Sequence, residues 1–365
     1  MRKSRIYELI QYQPRAKKVD AVPLLVISSP VNKYYLLDLE PEQSVARAEL
    51  DAGRQVFIAS WVNPDASHAD VGFDEYVLGI VEMLETVAAI TGSDASHLLG
   101  LCGGGVLAFL AAAYLAAIGR ERSLASLTVA IAVLDYNRGP SAMAFLDRKG
   151  AERAMRRATE HGFFDARDAA RAFALIRPIE GIWNIAVHNY LLGKQPPAFD
   201  ILFWNADTTS LPARLHHDYV DMFFTNPFVN ANKLTLNGAP IDMGRVRLDA
   251  YVVAGVTDHI TPWKSVYRTA KIYGDETTFV LSNSGHLQSL LNPPTNAKAS
   301  FVAGAAKAPD GERFLAAGEK RSGSWWPHWR DWLFERSGAE VPAPSSLGSN
   351  RHPATSAAPG TYVFD

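Results

Sequence analysis

Short apolar runs alternate with amphipathic stretches over the first third of the chain. Pro23 to Ser29 reads as a buried strand, Glu42 to Ala52 as a helix, Gln55 to Trp61 as a second strand and Phe73 to Ile90 as a long helix. The apolar run Leu98-Leu99-Gly100-Leu101 then leads into a helix over Val106 to Ile118, and Leu124 to Leu134 forms another apolar strand. Strands and helices in such alternation predict a mostly parallel sheet covered on both faces. The regularity stops at Asp135. From there to Pro240 the chain is rich in aromatics and short helical patterns, as in Gly162-Phe163-Phe164-Asp165 and Ile182-Trp183-Asn184-Ile185, with no clear sheet strand. The β/α rhythm resumes at Arg247 to Gly255 and again at Thr277 to Leu281. The organisation predicted is therefore α/β, with a first core part over 1–134, an inserted helical cap over 135–240 and a second core part over 241–340. A tail over 341–365, with its Pro, Ser and Ala, reads as loosely ordered.

Composition narrows the class. At 48% hydrophobic residues, 365 residues suffice for a sizeable core. The 36 basic and 38 acidic residues balance, and no basic stripe interleaved with aromatics suggests a nucleic-acid surface. The apolar run Val22 to Ile27 is too short to span a bilayer and lacks a signal-peptide layout, so no membrane span is expected. Cys102 is the single cysteine, which excludes an intramolecular disulfide and a zinc site of several thiolates. A reducing, cytoplasmic setting follows as the expectation.

That cysteine sits in Gly100-Leu101-Cys102-Gly103-Gly104, between an apolar strand and a helix. A strand-turn-helix of this kind is a nucleophile elbow, here with a thiol where the hydrolase version carries serine. Partial positive charge at a helix N-terminus favours an anion placed there, and the amide of Gly103 would point toward an oxyanion forming on an attacked carbonyl. Two further candidates fall just past strand ends on the same sheet edge. Asp258 lies in Gly255-Val256-Thr257-Asp258-His259-Ile260-Thr261, and His286 follows Ser282-Asn283-Ser284-Gly285. Nucleophile, acid and histidine in this chain order is the pattern of the α/β-hydrolase fold, with His286 as base and Asp258 as its orienting anion. His259 competes for the base role but, adjacent to the acid, reads as supporting. His216-His217 beside Asp218 lacks a third ligand and reads as structural, so no metal is expected. Trp325, Trp326, Trp329 and Trp332 form a stripe at helical spacing that reads as core packing or docking.

Several stretches together resemble the catalytic region of class I polyhydroxyalkanoate synthases. They are Asn32-Lys33-Tyr34-Tyr35-Leu36-Leu37-Asp38-Leu39, Ser60-Trp61-Val62-Asn63-Pro64-Asp65, the Gly100 to Gly104 box, Asn189-Tyr190-Leu191-Leu192-Gly193 and Phe203-Trp204-Asn205-Ala206-Asp207. Asp258 to Trp263, Gly285-His286, Asn292-Pro293-Pro294 and Gly323-Ser324-Trp325-Trp326-Pro327 extend the match over nearly the whole chain. The resemblance implies a polymerase that joins (R)-3-hydroxyacyl groups from coenzyme A thioesters, 3-hydroxybutyryl first among them, into a polyester. Cys102 would carry the acyl chain, His286 would be the base and Asp258 the acid. It places the second oxyanion donor at the backbone amide of Val31, with Asn32 in reserve. It further implies a homodimer using cap contacts, a growing polyester chain and granule surface as partners, and a cytoplasmic location at that surface; under it, a polymer- or granule-facing surface is the alternative reading of the tryptophan stripe. No cofactor is implied, coenzyme A being part of the substrate. Full-length members carry a further N-terminal domain ahead of the position held here by Met1, so a truncated or naturally short form is expected. The alternatives are an acyl-CoA thioesterase or polyester depolymerase with the same triad, and an inactive granule-associated module.

Overall fold

The computed structural model describes residues 2–136, 148–176, 191–193, 200–229 and 234–365. Its centre is a sheet of nine strands. In chain order they are β1 (Tyr7–Gln11), β2 (Leu24–Ile27), β3 (Val56–Trp61), β4 (Ser96–Leu101), β5 (Leu124–Ala130), β6 (Ala250–Gly255), β7 (Thr278–Ser282), β8 (Ser300–Ala305) and β9 (Lys320–Ser322). Across the sheet the order is β1-β3-β2-β4-β5-β6-β7-β8-β9. The six strands from β3 to β7 run parallel, while β1, β8 and β9 pair antiparallel at the margins. The mostly parallel sheet expected from the apolar runs is thus present. The three antiparallel margins are additions that the alternating pattern did not reveal.

Strands β2 to β6 are buried at every position but Ala125, as strands covered on both faces must be, and they read as near-continuous apolar runs for that reason. One face is packed by the helices Phe73–Thr91 and Gly103–Ala117. The other is packed by Val45–Asp51 and by the C-terminal helix Trp326–Phe334. Trp325, Trp326, Trp329 and Trp332 are all buried in that second core, which settles the tryptophan stripe as packing and removes it as a surface for polymer or granule.

Two boundaries move for identifiable reasons. Strand β5 stops at Ala130 instead of running to Leu134, because Ile131 takes a left-handed φ of 48° that turns the chain out of the sheet. The helix expected from Val106 begins at Gly103, the glycines of the elbow forming its first turn. Between β5 and β6 lie the helices Arg148–His161, Ala166–Ile176, Asp200–Ala206 and Ala213–Thr225. Two short pairs, Phe163–Phe164 with Leu211–Pro212 and Leu234–Leu236 with Ala239–Ile241, stand apart from the main sheet. Ile182-Trp183-Asn184-Ile185 and Asn189-Tyr190 lie outside the described residues. The stretch after 341, expected to be loose, is tied down. Glu340–Pro342 pairs with Lys18–Asp20, and the Glu8 carboxylate on β1 accepts hydrogen bonds from the backbone N–H groups of Thr361 and Tyr362. Among the described residues no helix is long and apolar enough to cross a membrane.

Candidate active site

Parallel strands end on one edge, and that edge collects the candidates. Cys102 follows β4 directly, Asp258 comes three residues after β6, and His286 four after β7. The loop after β2 carries Val31 to the same edge.

Cys102 has φ 49° and ψ −120°, a conformation rarely held by a residue with a side chain and costing about 1–3 kcal/mol. Its surroundings fix it there. The Cys102 N–H donates to the Ala130 carbonyl at 2.9 Å, while the Cys102 carbonyl accepts from the N–H groups of Gly105 (2.9 Å) and Val106 (3.3 Å). Close packing requires the glycines. A Cβ on Gly104 would strike the backbone carbonyls of Ser28 and Ile27, and one on Gly100 would lie 2.6 Å from the Ala108 Cβ. Without them the loop after β2 could not lie against the elbow. Cys102 therefore caps a 15-residue helix, half-buried, where the helix dipole favours negative charge.

The Asp258 carboxylate is saturated. Oδ1 accepts from the N–H groups of Ile260 and Thr261, each at 2.9 Å, and Oδ2 accepts from Thr261 Oγ1 at 2.6 Å and from His286 Nδ1 at 2.7 Å. Its side chain is 0% exposed and that of His286 8%, so water does not compete for the contact. Burial by itself would lower the His286 pKa. Electrostatic attraction to the Cys102 sulfur, hydrogen bonds to Asp258 and Cys102, and the Asp258 charge outweigh it and raise the imidazole to about 10. Burial would likewise raise Asp258, but the His286 contact and the Thr261 donors hold its carboxyl below the usual range. With Nδ1–H given to Asp258, Nε2 is the ring atom left for Cys102. The arrangement can take a proton from the thiol and return it elsewhere.

The structure thus brings Cys102, Asp258 and His286 together. Gly103 begins the helix, and a Cβ there would lie 3.1 Å from Ser29 Oγ and 3.3 Å from Pro30 Cδ, so the loop carrying Val31 touches the elbow. Neither the Gly103 nor the Val31 amide donates a backbone hydrogen bond among the described residues, which leaves both free for a ligand oxygen. Asn32 instead pairs with Thr208. The hydrogen bonds of the Asp258 carboxylate run to Ile260, Thr261 and His286, not to the adjacent His259. His216 stacks on Phe164 at 4.2 Å, His217 bonds the Met155 carbonyl, and Asp218 accepts from the Phe73 N–H, all structural roles. No group of three potential metal ligands occurs among the described residues.

Two contributors escaped the sequence reading. Thr261 completes the Asp258 carboxylate, and its position three residues after an aspartate at a strand end was the available signal. Tyr219, on the helix Ala213–Thr225, donates its hydroxyl to the Gly103 carbonyl at 2.9 Å. Burial, followed by the charges of Tyr76 and Cys102, raises its phenol. The same insertion grips the Val31 loop, through Thr209 N–H to the Val31 carbonyl, Thr209 Oγ1 to the Pro30 carbonyl and Trp204 Nε1 to the Lys33 carbonyl.

Comparison with known proteins agrees with the fold. Residues 37–293 match the alpha/beta hydrolase fold family, and residues 1–48 match the N-terminus of poly-beta-hydroxybutyrate polymerase. Poly(3-hydroxyalkanoate) polymerase 1 of Ectopseudomonas oleovorans is 44% identical over 99% of this chain and 64% of its own length. The poly(3-hydroxyalkanoate) polymerase subunit of Cupriavidus necator is 37% identical over 98% of this chain and 62% of its own. The chain therefore spans less than two thirds of these relatives. A thermophilic esterase from Thermogutta terrifontis, 13% identical, shares the fold with a TM-score of 0.50 over 91% of this chain and 94% of its own. The chain belongs to the alpha/beta hydrolase fold family and is, along almost its entire length, similar to the poly(3-hydroxyalkanoate) polymerases.

Proposed function

We propose that this chain is the catalytic region of a polyhydroxyalkanoate synthase, polymerising (R)-3-hydroxyacyl groups delivered as coenzyme A thioesters. The observation that carries the reading is the buried Asp258–His286 hydrogen bond, which leaves Nε2 for the Cys102 thiol at the elbow. In the first half-reaction His286 Nε2, whose raised pKa favours the proton, takes it from the thiol, and Cys102 Sγ attacks the thioester carbonyl. The oxyanion is held by the amides of Gly103 and Val31. Collapse breaks the bond to the coenzyme A sulfur, which leaves with the proton from His286, and the acyl group remains on Cys102 as a thioester. One thioester has replaced another, so the exchange is nearly isoenergetic. In the second half-reaction His286 deprotonates the 3-hydroxyl of another acyl unit, whose oxygen attacks the Cys102 thioester. An ester forms, the thiol is released with its proton, and the chain is one unit longer. Asp258 orients the imidazole and balances its charge throughout.

Water in place of the hydroxyl would give hydrolysis. The insertion between β5 and β6 serves as the cap that excludes it, its Tyr219 and Thr209 contacts lying on the elbow and on the Val31 loop. The reading calls for no cofactor, and places the protein as a homodimer at a cytoplasmic granule surface. The test is incubation with (R)-3-hydroxybutyryl coenzyme A, following free thiol and insoluble polyester, with Cys102→Ala as control. Polymer and thiol that vanish in the variant support the synthase. Thiol with only free hydroxy acid would make the protein a thioesterase.

A further inference from the structure

His286 opens a helix of only five residues, His286–Leu290. A helix so short has almost no internal hydrogen bonding to hold its own axis, and its last carbonyls need partners from outside. Two indoles supply them. Trp325 Nε1 donates to the Ser289 carbonyl at 2.7 Å, and Trp326 Nε1 donates to the Leu290 carbonyl at 3.0 Å. Ser324 Oγ donates to the Asn292 carbonyl just beyond, and the Trp326 N–H donates to the same Ser324 Oγ at 3.0 Å. The clamp is itself anchored in the sheet. Trp325 packs on Trp329, whose Nε1 donates to Thr128 Oγ1 on β5 at 2.9 Å, and on Tyr251 of β6. A continuous path of buried rings and hydrogen bonds thus joins β5 and β6 to the far end of the histidine helix.

We infer that Trp325 and Trp326 are positioning residues for the active site, fixing the axis of the His286 helix so that Nε2 stays in line with Cys102. The inference rests on the base role proposed above. Asp258 and Thr261 both meet the imidazole at one atom, Nδ1, so their contacts fix that end of the ring and leave the placement of Nε2 against Cys102 to the backbone that carries the residue. The second constraint has to come through the backbone, and the indole N–H groups are aimed at it. A displacement of about 1 Å at a reacting group costs on the order of a hundredfold in rate.

The test replaces Trp325 and Trp326 by phenylalanine, singly and together, with Trp332→Phe as control. Trp332 is buried on the same helix and packs on Tyr251 at 5.2 Å in a tilted arrangement, but among the described residues no hydrogen bond joins it to the histidine helix. Three quantities are read: kcat and KM for (R)-3-hydroxybutyryl coenzyme A, the NMR titration midpoint of the His286 imidazole, and the thermal midpoint. Trp325→Phe and Trp326→Phe are expected to lower kcat about ten- to a hundredfold with KM little changed, and to bring the His286 midpoint down toward that of a free histidine. Trp332→Phe is expected to lower the thermal midpoint alone. If a phenylalanine variant does not fold, replacing the Trp325 indole by benzothiophene keeps the shape and deletes only the N–H. Variants whose kcat and His286 midpoint match the parent, with stability loss alone, overturn the inference. A parent without turnover would sink the proposed function, and the His286 midpoint in the variants would still decide the clamp.

Discussion

Replacing Asp258 by asparagine changes one oxygen to an amide nitrogen, and the four donors around the carboxylate make the result calculable. Two backbone N–H groups occupy Oδ1, while the Thr261 hydroxyl and His286 Nδ1–H occupy Oδ2. The asparagine oxygen must stay on the two fixed backbone donors, which cannot turn away. Its NH2 then faces Thr261 Oγ1, which can rotate to accept, and His286 Nδ1, which must accept too. His286 is thereby forced to carry its proton on Nε2, where the base needs a lone pair. The wrong tautomer is expected to lower kcat about 10³- to 10⁴-fold, which corresponds to about 4–5.5 kcal/mol in the barrier. Folding should lose only about 1–3 kcal/mol, because the two backbone donors keep their acceptor and the Thr261 hydroxyl alone gives up one. Release of coenzyme A under saturating substrate measures the rate, and nitrogen-15 spectra of the imidazole report the tautomer. A rate within tenfold of the parent, with the proton still on Nδ1, would refute the reasoning.

Four further outcomes follow from the same contacts. Thr261→Val removes one donor from Oδ2 and leaves the backbone pair intact, so kcat should fall about tenfold, far less than in Asp258→Asn, in the same assay. Gly104→Ala drives a Cβ into the Ser28 and Ile27 carbonyls, which are backbone and cannot yield; urea unfolding should show a loss of about 1–3 kcal/mol. Arg54→Met strips the guanidinium from the buried carboxylates of Glu49 and Asp20 and should cost about 3–5 kcal/mol by the same measurement. The raised His286 pKa stabilises the fold fully below the unfolded value of about 6.5 and loses that effect as pH rises through about 10. The stability difference between parent and His286→Gln should therefore shrink from pH 6 to pH 10, and a difference that grows instead would contradict the pairing.

The site was legible in the sequence because each of its parts is a local signal at a strand end. Gly100-Leu101-Cys102-Gly103-Gly104 encodes a close approach of backbone, and Asp258 and His286 each follow an apolar run that could only be a buried strand. The marginal strands carry no such signal. Lys320-Arg321-Ser322 is exposed throughout, and the charges that guard an edge strand also hide it from a hydrophobic pattern. Gly304 and alanines thin the apolar signal of Ser300–Ala305, and Tyr7–Gln11 buries Glu8 and Gln11 by pairing them with the distant C-terminal stretch. The tail looked loose for the same reason: its partners lie more than 300 residues away in sequence. The tryptophans read correctly as core, but that their indoles hold the histidine helix depends on contacts no spacing can encode.

The central claim is that Cys102 carries the growing chain. Mixing the protein with (R)-3-hydroxybutyryl coenzyme A, quenching in acid and mapping peptides by mass spectrometry tests it most directly. The expected result is a ladder of hydroxybutyryl increments on the peptide bearing Cys102, absent in Cys102→Ala and suppressed in His286→Gln. An unmodified Cys102 peptide beside a labelled hydroxyl residue elsewhere would contradict the account.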